Sequence, residues 1–207
     1  LQTYLTKWRK CGILHAVVKM LKLEDICDVI SRGKTIPDAY KSKTGDIYNL
    51  RLTHIKENGA VILEDEYKYE LENKGNLLYF YGAKENDLIF PELVRNSLQV
   101  RNITNLGEEK VVYSARVIFA RIKAELYNPI FLAKILNTDK YIKKLLEEAY
   151  CMSKGYSSTY QIRLDSLRQF EIPEISLEEQ LKILEEDKKL KEQISSMQNK
   201  LIKLYDI

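Results

Sequence analysis

The chain has 207 residues, 45% of them hydrophobic and 30% charged, with only 8 glycines and 4 prolines, so it carries material for one full core plus an appendage and little for extended disorder. A net charge of +3 is too small by itself to indicate nucleic acid, and no apolar run approaches the roughly 20 residues of a membrane helix. Cys11, Cys27 and Cys151 are odd in number and far apart, which argues against a disulfide framework and for reduced thiols in a cytoplasmic protein.

Residues 1–20 read as an N-terminal helical segment without an assigned role, with Lys7, Arg9 and Lys10 ahead of a stretch too short for a signal peptide. Cys11 and His15 in this segment have a spacing that fits two metal ligands on one helix face, but without a third ligand no metal is expected. Residues 21–175 form a domain of mixed character. Helices are expected at 23–30 and across 129–150, the latter broken near Thr138 and Asp139, where a new cap is available. Runs rich in β-branched and aromatic residues predict strands at 47–55, 76–81, 111–122 and 159–164. Helices and strands do not alternate regularly, so the expectation is an α+β domain and not a doubly wound parallel sheet.

Near the C-terminus Pro173 keeps the chain extended, and Ser176 to Glu179 is a capping-box sequence that opens a helix. Residues 176–207 then contain no Gly and no Pro. Ile183, Leu190, Met197 and Leu204 recur every seven residues, Ile194 and Leu201 fill the alternate position, and Asp187 interrupts it. This predicts one long C-terminal coiled-coil helix whose apolar stripe packs on another helix, on a second copy or on a partner.

Charge is unevenly spread. Residues 31–56 hold six Lys or Arg against two Asp, while residues 64–72 hold five acids against Lys68 alone. Motifs for catalysis are missing: the chain has no glycine-rich phosphate loop, no paired-Cys zinc pattern and no Ser-centred nucleophile elbow. His54 is isolated and reads as a strand residue or a polar contact. Asn128-Pro-Ile-Phe131 is similar to the Asn-Pro-Pro-aromatic motif of DNA amino-methyltransferases, but it lacks the second proline and an upstream glycine-rich turn, so Pro129 reads as a helix start. No catalytic residue and no cofactor is expected.

The order of several segments resembles type I restriction-modification specificity subunits. These are KLEDICDVISRGKT at 22–35, Gly45-Asp46-Ile47 and the strand after it, NDLIF at 86–90, residues 114–120 and 128–150, and the stretch from Gly155 through SLEEQ at 176–180 to Ile183. At Asn86 the family's pattern has glycine. The resemblance implies a non-catalytic target-recognition domain (21–175) whose loops enter the major groove of double-stranded DNA. It also implies a spacer helix (176–207), with methyltransferase (M) and restriction (R) subunits as partners. Such subunits have two domains and two helices where this chain has one of each, so a homodimer through the helix is one expectation. A C-terminal recognition region of a fused DNA adenine methyltransferase and a coiled-coil protein-interaction module are the rival readings.

Base edges are read by Arg, Asn, Gln, Ser and Thr, while Arg and Lys anchor phosphates. Three polar loops are therefore the candidate DNA-binding residues. The first is Arg32, Lys34, Lys41 and Lys43, and the second Arg95, Asn96 and Gln99. The third is Lys154, Tyr156, Ser157 and Ser158, which the resemblance sets next to DNA.

Overall fold

The computed structural model describes residues 19–63, 68–72, 74–95, 97–153 and 159–205, so the expected N-terminal helix with Cys11 and His15 lies largely outside the described residues. The strands are β1 (Met20–Lys22), β2 (Cys27–Arg32), β3 (Lys41–Ser42), β4 (Ile47–Leu50), β5 (Lys68–Tyr69), β6 (Leu88–Pro91), β7 (Leu93–Val94), β8 (Arg101–Asn102), β9 (Lys110–Tyr113), β10 (Val117–Ile122), β11 (Tyr150–Ser153), β12 (Thr159–Gln161) and β13 (Glu171–Pro173). The helices are α1 (Lys74–Tyr81), α2 (Pro129–Leu136), α3 (Asp139–Glu148), α4 (Leu164–Arg168) and α5 (Leu177–Tyr205), with 3-10 turns at Leu23–Ile26, Asp38–Tyr40 and Leu52–His54.

A four-stranded antiparallel sheet in the order β2-β10-β6-β8 lies at the centre. Its inner strands are buried on both faces, which is why they read as apolar runs, broken in β10 by Arg121 alone. On one face Leu88, Phe90, Ile118, Ala120 and Ile122 join α2, α3 and α4 in the main core; on the other, Ile89, Val117 and Phe119 pack against Leu50, Ile55, Ile103, Val111 and Tyr113. The second face is covered by another sheet, β3-β5-β4-β9, in which β4 and β9 run parallel. A small sheet, β11-β12-β7, and the ribbon β1-β13 complete the domain.

Five local expectations differ from the structure. Residues 76–81 belong to helix α1, not to a strand: Leu77, Leu78 and Tyr81 share one helix face and pack on Ile36, Ile47, Tyr69 and Val112, whereas a strand would have turned Leu78 away from Leu77 and Tyr81. Residues 23–30 are a single 3-10 turn followed by β2, because Leu23 and Ile26 need only three-residue spacing to reach the core while pairing with β10 claims the rest. The expected strand 47–55 ends at Leu50, where Arg51 enters the turn, and 111–122 is two strands broken by a turn at 114–116. The strand 159–164 stops at Gln161, and Leu164 opens α4.

The helix break at 137–138 is present, but the Thr138 hydroxyl donates back to Ile135 O at 2.8 Å and does not cap α3. Asn128 caps α2 as Pro129 suggested, its Oδ1 accepting from the backbone N–H groups of Ile130 at 3.0 Å and Phe131 at 3.1 Å. Asn86 has φ 68°, a left-handed conformation that asparagine tolerates in place of glycine.

Two motif residues turn out to be joints. Asp87 is 1% exposed and accepts from Arg121 Nε at 2.9 Å, Arg121 Nη2 at 2.8 Å, the Tyr113 hydroxyl at 2.8 Å and the Lys84 N–H at 3.0 Å. It therefore clamps β10 and β9 to the start of β6, and burial pushes the Tyr113 hydroxyl well above its ordinary pKa. Gln180, fully buried in the first turns of α5, accepts from the Asn128 N–H at 2.7 Å and donates to Ile175 O at 2.7 Å. Ile183 and Leu184 continue that docking against the main core, and Asp187, the break in the apolar stripe, pairs with Lys134 on α2 and with Lys191 at 3.2 Å. Burial would raise the Asp187 carboxyl, but these two lysines outweigh it and hold it below its ordinary value. The first turns of α5 thus lie on their own domain.

Candidate nucleic-acid interface

Strand ends gather at one edge of the central sheet. Arg32 at the end of β2 pairs with Ile118, and Pro91 at the end of β6 pairs with Val117, so both ends meet the 114–116 turn that precedes β10. Gly33 N–H donates to Val117 O at 2.9 Å, Lys34 N–H to Tyr113 O at 2.8 Å, and Glu92 N–H to Arg116 O at 3.1 Å. A Cβ on Gly33 would stand 2.2 Å from Ser114 O, so only glycine lets the chain cross here. Strand β7 follows directly and pairs with β12, Leu93 opposite Gln161 and Val94 opposite Tyr160. The β11-β12 pair, whose connection is 154–158, therefore stands beside Arg95.

The side chains at this edge form a small network. Arg32 Nη2 is 3.1 Å from Glu92 Oε1, and Gln161 Nε2 donates to the same oxygen at 3.1 Å. Ile162 N–H donates to Glu92 O at 2.9 Å, which fixes Glu92 between the two. Lys34, Arg95 and Arg116 are exposed around it. These cations produce a positive rim on a scaffold held by sheet pairing.

The expected residues separate into groups. Arg32, Lys34 and Arg95 meet at this edge. Asn96, Lys154, Tyr156, Ser157 and Ser158 lie outside the described residues. Gln99 is held within the chain, its Oε1 accepting from Arg101 Nε at 3.3 Å and Nη2 at 3.2 Å, while Arg101 also donates to the carbonyls of Leu52 and Ile55. Lys41 and Lys43 belong elsewhere. Lys41 pairs with Tyr69, Tyr69 with Ile47 and Ile47 with Lys110, the first residue of β9, whereas Lys34 meets Tyr113, its last. The two groups are thus separated along β9 by roughly 10 Å.

At that second place Asp46 accepts from Lys74 Nζ at 2.6 Å and Lys110 Nζ at 2.8 Å, and these bonds lower its carboxyl to about 2. Lys41 pairs with Asp38 at 2.9 Å, a bond that raises the lysine's pKa, and Lys68 lies 5.0 Å from the centre of the Tyr48 ring. His54 is buried, its Nδ1 accepting from the Arg51 N–H at 3.2 Å, which is the polar contact expected of it.

Arg116, Glu92 and Gln161 were not singled out in the sequence. A polar pair, Ser114 and Arg116, inside the apolar run 111–122 marked the turn. Nothing local marks Gln161 or Glu92, which only the β7-β12 pairing brings together.

Along α5, Ile183 is packed on the main core and Leu190 is half-buried, whereas Ile194, Met197, Leu201 and Leu204 are exposed, from 51% at Ile194 to 78% at Leu204. Among the described residues no helix is long and apolar enough to cross a membrane.

No protein-family model and no curated protein matches the sequence. Solved structures do match in fold. A chain from a structure concerned with complex assembly and conformational transition of the type I R-M system superposes with a TM-score of 0.60 at 15% identity, over 96% of this chain and 46% of that one. The HsdS subunit from Thermoanaerobacter tengcongensis superposes with a TM-score of 0.57 at 13% identity, over 96% of this chain and 45% of its own. The chain therefore has an HsdS-like fold, a mixed domain followed by a long helix, and spans somewhat under half the length of these neighbours.

Proposed function

We propose that the chain is a sequence-specific DNA-binding specificity subunit, or half-subunit, of a type I restriction-modification system. The observation that carries this reading is the fold likeness over 96% of the chain, long helix included, to a little under half of an HsdS subunit. Residues 21–175 act as the target-recognition domain and residues 176–207 as the spacer helix. The chain does no chemistry of its own in this reading; M and R subunits supply methyl transfer and cleavage in the cytoplasm.

The gathered edge suits the task. Phosphate contacts set register and base-edge contacts set sequence, so a site needs cations around polar forks on a rigid support. Lys34, Arg95 and Arg116 serve as the cations, and Arg32 lies among them. The exposed stripe at Ile194, Met197, Leu201 and Leu204 takes a second helix, for which a second copy of the chain is one source. The fused-methyltransferase and protein-interaction readings draw no support from these likenesses.

The test is selection of the purified full chain against random duplex DNA, alone and with a methyltransferase subunit, followed by sequencing of what is retained. A short motif, or a two-part motif from a dimer, is the expected result. Retention without a motif would reduce the chain to a basic surface, and no retention under either condition would remove the DNA reading.

A further inference from the structure

We infer that Arg32 and Gln161 read adjacent base edges, and that Glu92 is the positioning residue that holds both for it. The inference rests on the DNA-reading function proposed above and names side chains for it, two of which no local sequence pattern marks. Arg32 and Gln161 stand 129 positions apart (161 − 32) yet both reach Glu92 Oε1 at 3.1 Å, Arg32 as an ion pair and Gln161 as a hydrogen-bond donor. Glu92 is itself largely enclosed, its side chain 13% exposed against 41% for Arg32. A largely enclosed carboxylate among strand ends, with a more exposed guanidinium paired to it and an amide donating to it, is a mount for both.

What each donor keeps free decides its use. Arg32 sets Nη2 against Glu92 as an ion pair; its Nε is buried without a hydrogen-bond partner, and Nη1 bonds nothing among the described residues. A guanidinium held at one corner keeps the outer edge of its fork for the O6 and N7 acceptors of guanine, the commonest specific contact in the major groove. Gln161 spends one amide hydrogen on Glu92 and keeps the other together with Oε1, which bonds nothing among the described residues. One donor beside one acceptor is the pattern that matches adenine N7 and N6. As a carboxylate Glu92 holds Arg32 by charge and Gln161 by accepting its amide N–H, and a neutral amide in its place would lose the first of these.

The experiment is the same random-duplex selection with the full chain, carried out on Arg32→Lys, Gln161→Ala and Glu92→Gln beside the wild type, each checked for folding by thermal melting. Arg32→Lys keeps the charge and loses the fork, so one motif position should drop from a preference of about tenfold or more to under about threefold, with binding to unrelated DNA within about twofold of wild type. Gln161→Ala should relax a neighbouring position, and Glu92→Gln both positions at once. Folded variants that return the wild-type motif, or that weaken all sequences evenly, overturn the assignment while leaving the DNA reading in place. A wild-type chain that enriches no motif overturns both.

Discussion

Replacing Gln180 by leucine tests whether the long helix is locked to the domain or merely leans on it. The side chain is fully buried and its two short bonds, from the Asn128 N–H and to Ile175 O, are each 2.7 Å, while a third to Leu126 O at 3.4 Å is too long to count for much. Leucine keeps most of the volume and leaves one N–H and one C=O without those partners. Each such buried group costs about 1–3 kcal/mol, so after some gain from the apolar side chain the net loss is about 2–4 kcal/mol. For a chain of this size that is a drop in Tm of roughly 5–12 °C. Calorimetry reads the drop, and hydrogen exchange locates it: amides at 177–187 should open faster relative to β6 and β10. Lys182→Leu, on the exposed side of the same turn, should stay within about 0.5 kcal/mol of wild type. A Gln180→Leu shift below about 2 °C, or unchanged exchange at 177–187, would refute the idea that this amide is the joint.

Asp87→Asn should cost about 3–5 kcal/mol, seen as a lower urea midpoint, since it leaves Arg121 without its counter-charge at a site 1% exposed; a loss under about 1 kcal/mol would mean that the network is replaceable. Replacing Ile194 and Leu201 together by glutamate should abolish self-association in light scattering while the domain's melting stays put, and an unchanged mass would count against the stripe as an interface. Lys41→Ala with Lys43→Ala, at the other end of β9 from the proposed edge, should leave the slope of log K against log salt unchanged; a slope flattened by roughly 1.8 would put both lysines on phosphate and widen the interface. Burial pushes the Cys27 thiol up from 9.0 to about 12, so it should resist iodoacetamide at pH 8 when peptides are read by mass spectrometry. By linkage, an acid whose folded pKa is raised costs no stability below pH 9 and an increasing amount between about 9 and 12, where only the unfolded thiol ionises; stability there should recover in Cys27→Ala relative to its own value at pH 8.

The parts of the fold that were legible are those whose signal is local. The Asn128-Pro129 start of α2 and the Ser176 start of α5 each depend on one or two side chains reaching the next turn, and Ser176 Oγ accepts from the Glu179 N–H at 3.3 Å as its position foretold. The misread segments have a signal that only a distant partner settles. Leu77, Leu78, Tyr79, Phe80 and Tyr81 are apolar or aromatic without a break, and which of them turns inward depends on the Ile47-Tyr69-Val112 surface that α1 covers. The apolar stripe of α5 misleads in a different way. Its seven-residue period is continuous, but Ile183 and Asp187 face the chain's own core and Lys134, and only the later turns are left open.

The site is less legible than the fold for the same reason carried further. A charge cluster in sequence groups Arg32, Lys34, Lys41 and Lys43, yet the strand register sends the first two to one end of β9 and the last two to the other. The residues that do meet, Arg32, Glu92, Arg116 and Gln161, belong to four separate strand ends, and no window of the sequence contains any two of them as a pattern. The motifs that carried the family resemblance, Asp87 and Gln180, are buried joints that keep those ends in place. Under the proposed assignment that division has a use: joints tolerate no change without a cost of several kcal/mol, whereas exchange of Arg32 or Gln161 at the sheet edge would alter which base is bound and leave the support standing.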